Sequence, residues 1–129
     1  MSSVLTIAVC QMTSVDDVDR NVAQIEKLLH SSTQPVDIAF FPENCLYMRI
    51  KEGETIPGLE LADPVFDRLR QIARDQRMSL HLGSIPLREG NKLTNASVLV
   101  TPEGEVRSTY RKMHLFDIQL EGQAPIRES

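Results

Sequence analysis

The chain has 129 residues, enough for one domain with its own core. Hydrophobic residues make up 41% and charged residues 25%, an ordinary globular composition. Lys and Arg total 14 against 18 Asp and Glu, a net charge of −4 that offers no basic footprint for nucleic acid or an anionic membrane. No apolar run approaches the length of a membrane span. The opening MSSVLTIAVCQMTS lacks the basic start and the cleavage pattern of a signal peptide. Two cysteines, Cys10 and Cys45, then fit a reduced, cytoplasmic chain.

In chain order, Val4 to Met12 reads as a strand. Leu5, Ile7 and Val9 point one way and Val4, Ala8 and Cys10 the other, so both faces are apolar, which suits a central strand. DDVDRNVAQIEKLLHSS reads as a helix, with Val18, Val22, Ile25 and Leu29 forming one apolar stripe. Val36 to Phe41 is a short continuous apolar strand of the buried parallel type. From Pro42 to Leu61 the pattern breaks, and Gly53, Pro57 and Gly58 mark a loop.

Asp63 followed by Pro64 predicts a helix start, a capping side chain and then a proline at the first helical position. Val65, Phe66, Leu69, Ile72 and Ala73 supply its buried face. Arg70, Arg74 and Arg77 crowd its last turns, where the helix dipole favours cations. MSLHLGSI is a third strand. TNASVLVTPEGEVRSTYRK is a hairpin turning at Thr101-Pro102-Glu103-Gly104. The tail from Asp117 reads as polar and irregular. The order β-α-β-loop-α-β-β-β predicts an α/β fold with a mainly parallel sheet, a hairpin, and two helices on one face. No further helices are available for the other face.

In open α/β sheets, ligands collect beyond the carboxyl ends of the strands. Glu43, in FFPENCLYM, follows one such end. Lys112, in YRKMHLFD, follows the last strand. A carboxylate delivered by a strand end can act as a general base, and a lysine beside it can hold a developing oxyanion. Charged residues after strands are more often solvated loop residues, and spacing alone favours that plain reading for both.

FFPENCLYM and YRKMHLFD together resemble the nitrilase superfamily of carbon–nitrogen hydrolases. The rest of the chain follows the family's order: IAVCQMTS with Asn21 in the first helix, IPG from Ile56 to Gly58, LGSI from Leu82 to Ile85, NASVLVTPEGEV from Asn95 to Val106, and the closing Glu128-Ser129. The resemblance implies a Glu-Lys-Cys triad with a second supporting glutamate. Glu43 matches the general base, Lys112 the lysine that stabilises the tetrahedral intermediate, and Glu128 the second glutamate. IQLEGQAPIRES lacks the Pro-Gly that usually follows HLFD, so the Glu128 match is the softer one. HLFD favours the amidase branch, whose look-alikes act on small ω-amides or on deaminated glutathione.

The family's nucleophilic cysteine lies on a sharp turn after a later strand, beyond Ser129. Residues 1–129 therefore resemble a partial domain, the N-terminal half of an α-β-β-α sandwich, and the second half accounts for the missing helices. Cys45 lies near Glu43, but a neighbouring carboxylate raises a thiol's pKa, and a small buried hydrophobe is the preferred reading. Cys10 reads as core, and His114 as a structural residue beside Lys112. Arg49 and Arg111 are candidates for binding a substrate carboxylate, Arg111 more simply as an ion-pair partner. The scattered Cys and His residues have no metal-ligand spacing and no phosphate-binding glycine motif occurs, so neither a metal nor a cofactor is expected.

The resemblance implies a small-molecule amide substrate, with no nucleic-acid or membrane partner. The two-sided apolar strands imply a homo-oligomer or self-association through the uncovered sheet. On this reading the 129-residue chain by itself is inactive. The alternative is a non-catalytic truncated product, or an interaction module that keeps the fold without the chemistry.

Overall fold

The computed structural model describes residues 3–113, 117–118, 121–122 and 126–127. Its elements are β1 (Ile7–Val9), α1 (Val18–His30), β2 (Ile38–Phe40), α2 (Pro64–Gln76), β3 (Ser79–Glu89), β4 (Lys92–Val100), β5 (Val106–Arg111), β6 (Asp117–Ile118) and β7 (Ile126–Arg127). The first five strands form one sheet in the order β1-β2-β3-β4-β5. β1, β2 and β3 run parallel through the two helical crossovers, and β3-β4-β5 is an antiparallel meander. This is the expected α/β architecture, with the predicted hairpin and both helices on one face.

Register explains the single core. Ala8, Ala39, Leu80 and Val100 lie in one row across four strands, beside Leu82 and Val98. These residues pack against Val22, Ile25 and Leu29 of α1 and Phe66, Leu69, Ile72 and Ala73 of α2. Full burial of a large apolar side chain contributes about 1.5–3 kcal/mol, so these two helical stripes hold the layers together. The α1 stripe is as predicted with one addition, because Asn21 is buried inside it.

Three expectations need correction. The first strand is short and lies at the sheet edge, not its centre. Ala8 and Cys10 turn toward the core, whereas Ile7 and Val9 are exposed on the helix-free face, Val9 by 85%. Apolar content on both faces therefore does not make this strand central here; it leaves one face open. Asp63 precedes α2 as expected, but its carboxylate accepts the Glu60 N–H at 2.9 Å instead of capping the helix. With Pro64 in the first turn one N–H is missing there, so fewer donors need a cap. Finally, the tail is not wholly irregular, since β6 and β7 pair antiparallel as a small second sheet.

Candidate active site

Strand β2 delivers its exit segment onto β3. The Phe41 N–H donates to the His81 carbonyl at 2.9 Å, which prolongs the parallel pairing by one residue. Gly83 lies directly under Phe41 and Pro42; a Cβ there would overlap the Phe41 oxygen and the Pro42 carbonyl. Only glycine allows the two backbones to approach so closely. Glu43 emerges immediately afterwards with its side chain 67% exposed.

Lys112 reaches the same place from the other side of the sheet. β5 is antiparallel to β4, which is antiparallel to β3, so β5 runs in the same sense as β2. Its end therefore lies at the same sheet edge as the end of β2. The Lys112 N–H donates to the Asn95 carbonyl at 2.8 Å, carrying the β4–β5 ladder one step beyond the strand. Lys112 Nζ donates to Glu43 Oε1 at 3.3 Å, across 69 residues of sequence. The lysine side chain is the less exposed partner, at 27%. Two residues singled out separately in the sequence thus form one ion pair at the carboxyl ends of the strands.

The segment after Glu43 is tightly held. Asn44 adopts a left-handed conformation with φ 55°, which asparagine tolerates better than most residues. Its N–H donates to Ser84 Oγ at 2.9 Å, and the Cys45 N–H donates to the Ser84 carbonyl at 3.3 Å. One residue further along, Asn21 Nδ2 donates to the Leu46 carbonyl at 2.8 Å. Asn21 also exchanges a pair of bonds with the Val15 backbone, at 2.9 and 2.7 Å. One turn away, Gln24 makes the same paired arrangement with Thr13, at 2.8 and 3.1 Å. Helix α1 thereby presents two side-chain amides to the backbone of Thr13 and Val15 as a neighbouring strand would.

Cys45 is fully buried beneath this turn, and burial pushes its thiol up to about 12. The thiol lies 3.7 Å from the Ser84 carbonyl. Cys10 is half-buried, and burial raises its thiol as well. Both cysteines are free. Arg111 is engaged by Glu89, Nε to Oε1 at 2.7 Å with a second bond through Nη2, and the guanidinium lowers the Glu89 carboxyl below its ordinary value. It is the ion-pair partner that the sequence suggests, while Arg49 is exposed. Glu128 and His114 lie outside the described residues. Sequence reasoning did not assign Asn21, Gly83 or Ser84 to the site.

Residues 6–129 match the carbon–nitrogen hydrolase family model. The chain is 33% identical over 133 residues to deaminated glutathione amidase of Homo sapiens, covering 95% of this chain and 40% of that protein. It is 28% identical to the chloroplastic omega-amidase of Arabidopsis thaliana, covering 95% of this chain and 35% of that protein. The chain thus spans about 40% or less of the length of these relatives. The Caenorhabditis elegans NitFhit protein superposes with a TM-score of 0.79 at 22% identity, over 98% of this chain and 33% of its own, a likeness of fold. An amidase from Nesterenkonia sp. superposes with a TM-score of 0.69 at 25% identity, over 87% of this chain and 44% of its own. One structure of the Nesterenkonia enzyme carries acrylamide added to its active-site cysteine. The chain belongs to the carbon–nitrogen hydrolase family, within the nitrilase superfamily.

Proposed function

We propose that this chain supplies the general base and the oxyanion-binding cation of an enzyme that hydrolyses small linear amides through a Glu-Lys-Cys triad. The observation that carries the reading is the 3.3 Å approach of Lys112 Nζ to Glu43 Oε1 at the strand ends. Glu43 takes the proton of a cysteine thiol, and the thiolate attacks the amide carbon. Lys112 and a backbone N–H hold the oxyanion as the tetrahedral intermediate forms. Collapse breaks the C–N bond, and the proton passes from Glu43 to the departing ammonia or amine. Glu43 then draws a proton from water, whose oxygen attacks the thioester, releasing the acid and restoring the thiol. Glu128 supports Lys112 and the substrate. No cofactor enters the cycle.

Residues 1–129 are in this reading a partial domain, and the nucleophile belongs to chain beyond Ser129. Cys45 is a poor candidate: it is buried, and its thiol is raised to about 12. The relatives named deaminated glutathione amidase and omega-amidase favour small ω-amides and deaminated glutathione as the substrate class. Two free thiols suit a cytoplasmic location. The open sheet face favours self-association of the isolated chain.

The test is ammonia release from small ω-amides. It compares the 129-residue chain, its Cys45→Ala variant, and the chain joined to the downstream half of the human deaminated glutathione amidase. Loss of a triad nucleophile leaves a rate on the order of a millionth, so the first two are expected to be silent. The joined protein is expected to turn over, and Glu43→Gln or Lys112→Ala to abolish it. Turnover by the isolated chain that vanishes in Cys45→Ala makes Cys45 the nucleophile. A folded but silent joined protein favours the non-catalytic reading.

A further inference from the structure

The pairing of β3 with β4 shifts register where β3 passes beneath the turn that carries Glu43. Leu82 pairs with Val98 and Ile85 pairs with Ala96, so Gly83 and Ser84 together oppose the single residue Ser97. This is a β-bulge. It keeps Leu82, Ile85 and Leu87 buried despite the odd spacing, and it also buries Ser84. Ser97 Oγ fastens the bulge by donating to the Gly83 carbonyl at 2.6 Å.

Ser84 faces the turn that follows β2. Its hydroxyl accepts the Asn44 N–H at 2.9 Å, and its carbonyl accepts the Cys45 N–H at 3.3 Å. Asn44 is the residue at φ 55°, next to Glu43. A left-handed residue reverses the chain locally and costs free energy unless its surroundings fix it. Here the Ser84 hydroxyl is the side-chain group that accepts the Asn44 N–H. Pro42 rests on Gly83 on the other side of Glu43. The backbone on both sides of Glu43 is therefore held by one bulge, on the sheet whose far strand ends at Lys112.

We propose that Ser84 is a positioning residue: its hydroxyl sets the left-handed turn at Asn44 and so aims the Glu43 carboxylate at Lys112. Its catalytic meaning rests on the reading of Glu43 as the base. The geometric part is testable without catalysis.

The reporter is the NMR signal of the Lys112 ammonium in the 129-residue chain, resolved from Lys27, Lys51 and Lys92. Glu43→Gln calibrates the position of that signal when the carboxylate is gone. Ser84→Ala is expected to move it at least about halfway to the Glu43→Gln position and to lower Asn44 amide protection about tenfold. Ser84→Thr, which keeps the hydroxyl, is expected to restore both. Ser97→Ala also removes one hydroxyl-to-backbone bond at the bulge; it is expected to lower stability yet leave the Lys112 signal in place. Should Ser84→Ala fail to fold, Ser84→Cys, close in size but a weak acceptor, makes the same measurement.

An unmoved Lys112 signal in the folded Ser84 variant overturns the proposal. So does a Ser97→Ala shift as large as that of Ser84→Ala, because the effect would then be general loosening. In the joined protein, Ser84→Ala is expected to lower kcat about ten- to a hundredfold while KM changes little, since misplacing a base by about 1 Å costs on this scale. If no joined form is active, the amide-hydrolase reading fails while the Lys112 result still decides the role of Ser84.

Discussion

Asn21 Nδ2 donates to the Leu46 carbonyl at 2.8 Å, joining helix α1 to the third residue after Glu43 across 25 residues of sequence. Asn21 is fully buried and all its described bonds go to backbone, so it acts as a bracket between α1, Val15 and the turn beyond β2.

Asn21→Ala removes three bonds and leaves the Leu46 and Val15 backbone groups short of partners. A buried polar group left unmatched costs about 1–3 kcal/mol. The expected loss of stability is about 3 kcal/mol, read from the midpoint of urea unfolding with an unchanged slope. Asn21→Asp offers only acceptors and is expected to cost at least as much. A loss below about 1 kcal/mol for both would show that the bracket is not what holds this turn.

Gly83→Ala tests the close approach directly. Its Cβ would meet backbone atoms of Phe41 and Pro42, and backbone cannot swing aside as a long side chain can. Overpacking of this kind costs about 1–3 kcal/mol. The expected outcome is a lower unfolding midpoint together with a disturbed Lys112 ammonium signal, because the exit of β2 must move. A variant as stable as the parent with an unchanged signal would contradict the packing described here.

Much of this arrangement was legible in the sequence. The order of strands and helices, the α1 and α2 stripes, and the turn at Pro102-Glu103-Gly104 follow from periodicity and turn chemistry, which are local. Glu43 and Lys112, each just past a strand, are expected from the sequence to converge at one sheet end, and they do, at 3.3 Å; the physical reason, β5 returning parallel to β2, is a property of topology. The bulge left a visible trace: buried leucines and isoleucine at 80, 82, 85 and 87 change parity across Gly83-Ser84. Asn21 left one too, as a polar residue three after Val18 and four before Ile25 on an apolar stripe. The edge position of β1 left none, because an apolar pattern reports what a strand can bury and not which layer is present to bury it.

The open face supplies a third prediction. Val9, Phe40, His81 and Leu99 lie in one row across four strands on the side away from the helices. The Phe40 and His81 rings meet there with centres 5.1 Å apart and planes tilted by 44°, and His81 Nδ1 is buried without a hydrogen-bond partner among the described residues. Ile7 and Val9 are exposed on the same side. Contiguous apolar surface of this kind drives association. The isolated chain is expected to bind a hydrophobic dye and to self-associate in light scattering as concentration rises. Ile7→Lys with Val9→Lys is expected to reduce both with less than about 0.5 kcal/mol change in stability, as for exposed positions generally. A monomeric parent that binds no dye would remove the case for association through this face.

Cys45 gives a prediction with a definite sign in pH. Burial raises its thiol from the ordinary 9.0 to about 12 in the folded chain. Between those values the unfolded chain loses the thiol proton while the folded chain keeps it. The folded state then binds more protons, so stability falls as pH rises. This contribution is fully present below pH 9 and is lost progressively toward pH 12, at no more than about 1.4 kcal/mol per pH unit. Lysines and tyrosines titrate in the same range, so the quantity to measure is the difference between the parent and Cys45→Ala. At neutral pH Cys45→Ala is expected to be the less stable by about 1–2 kcal/mol, for lost packing. That gap is expected to narrow as pH rises above 9, because only the parent carries the titrating thiol. The same burial keeps the Cys45 thiol protonated near pH 8 and so unreactive. Iodoacetamide is therefore expected to label half-buried Cys10 first and Cys45 only as the chain unfolds. Rapid native labelling of Cys45, or a stability gap that is flat from pH 8 to 11, would refute the buried, protonated thiol and return Cys45 to consideration as a nucleophile.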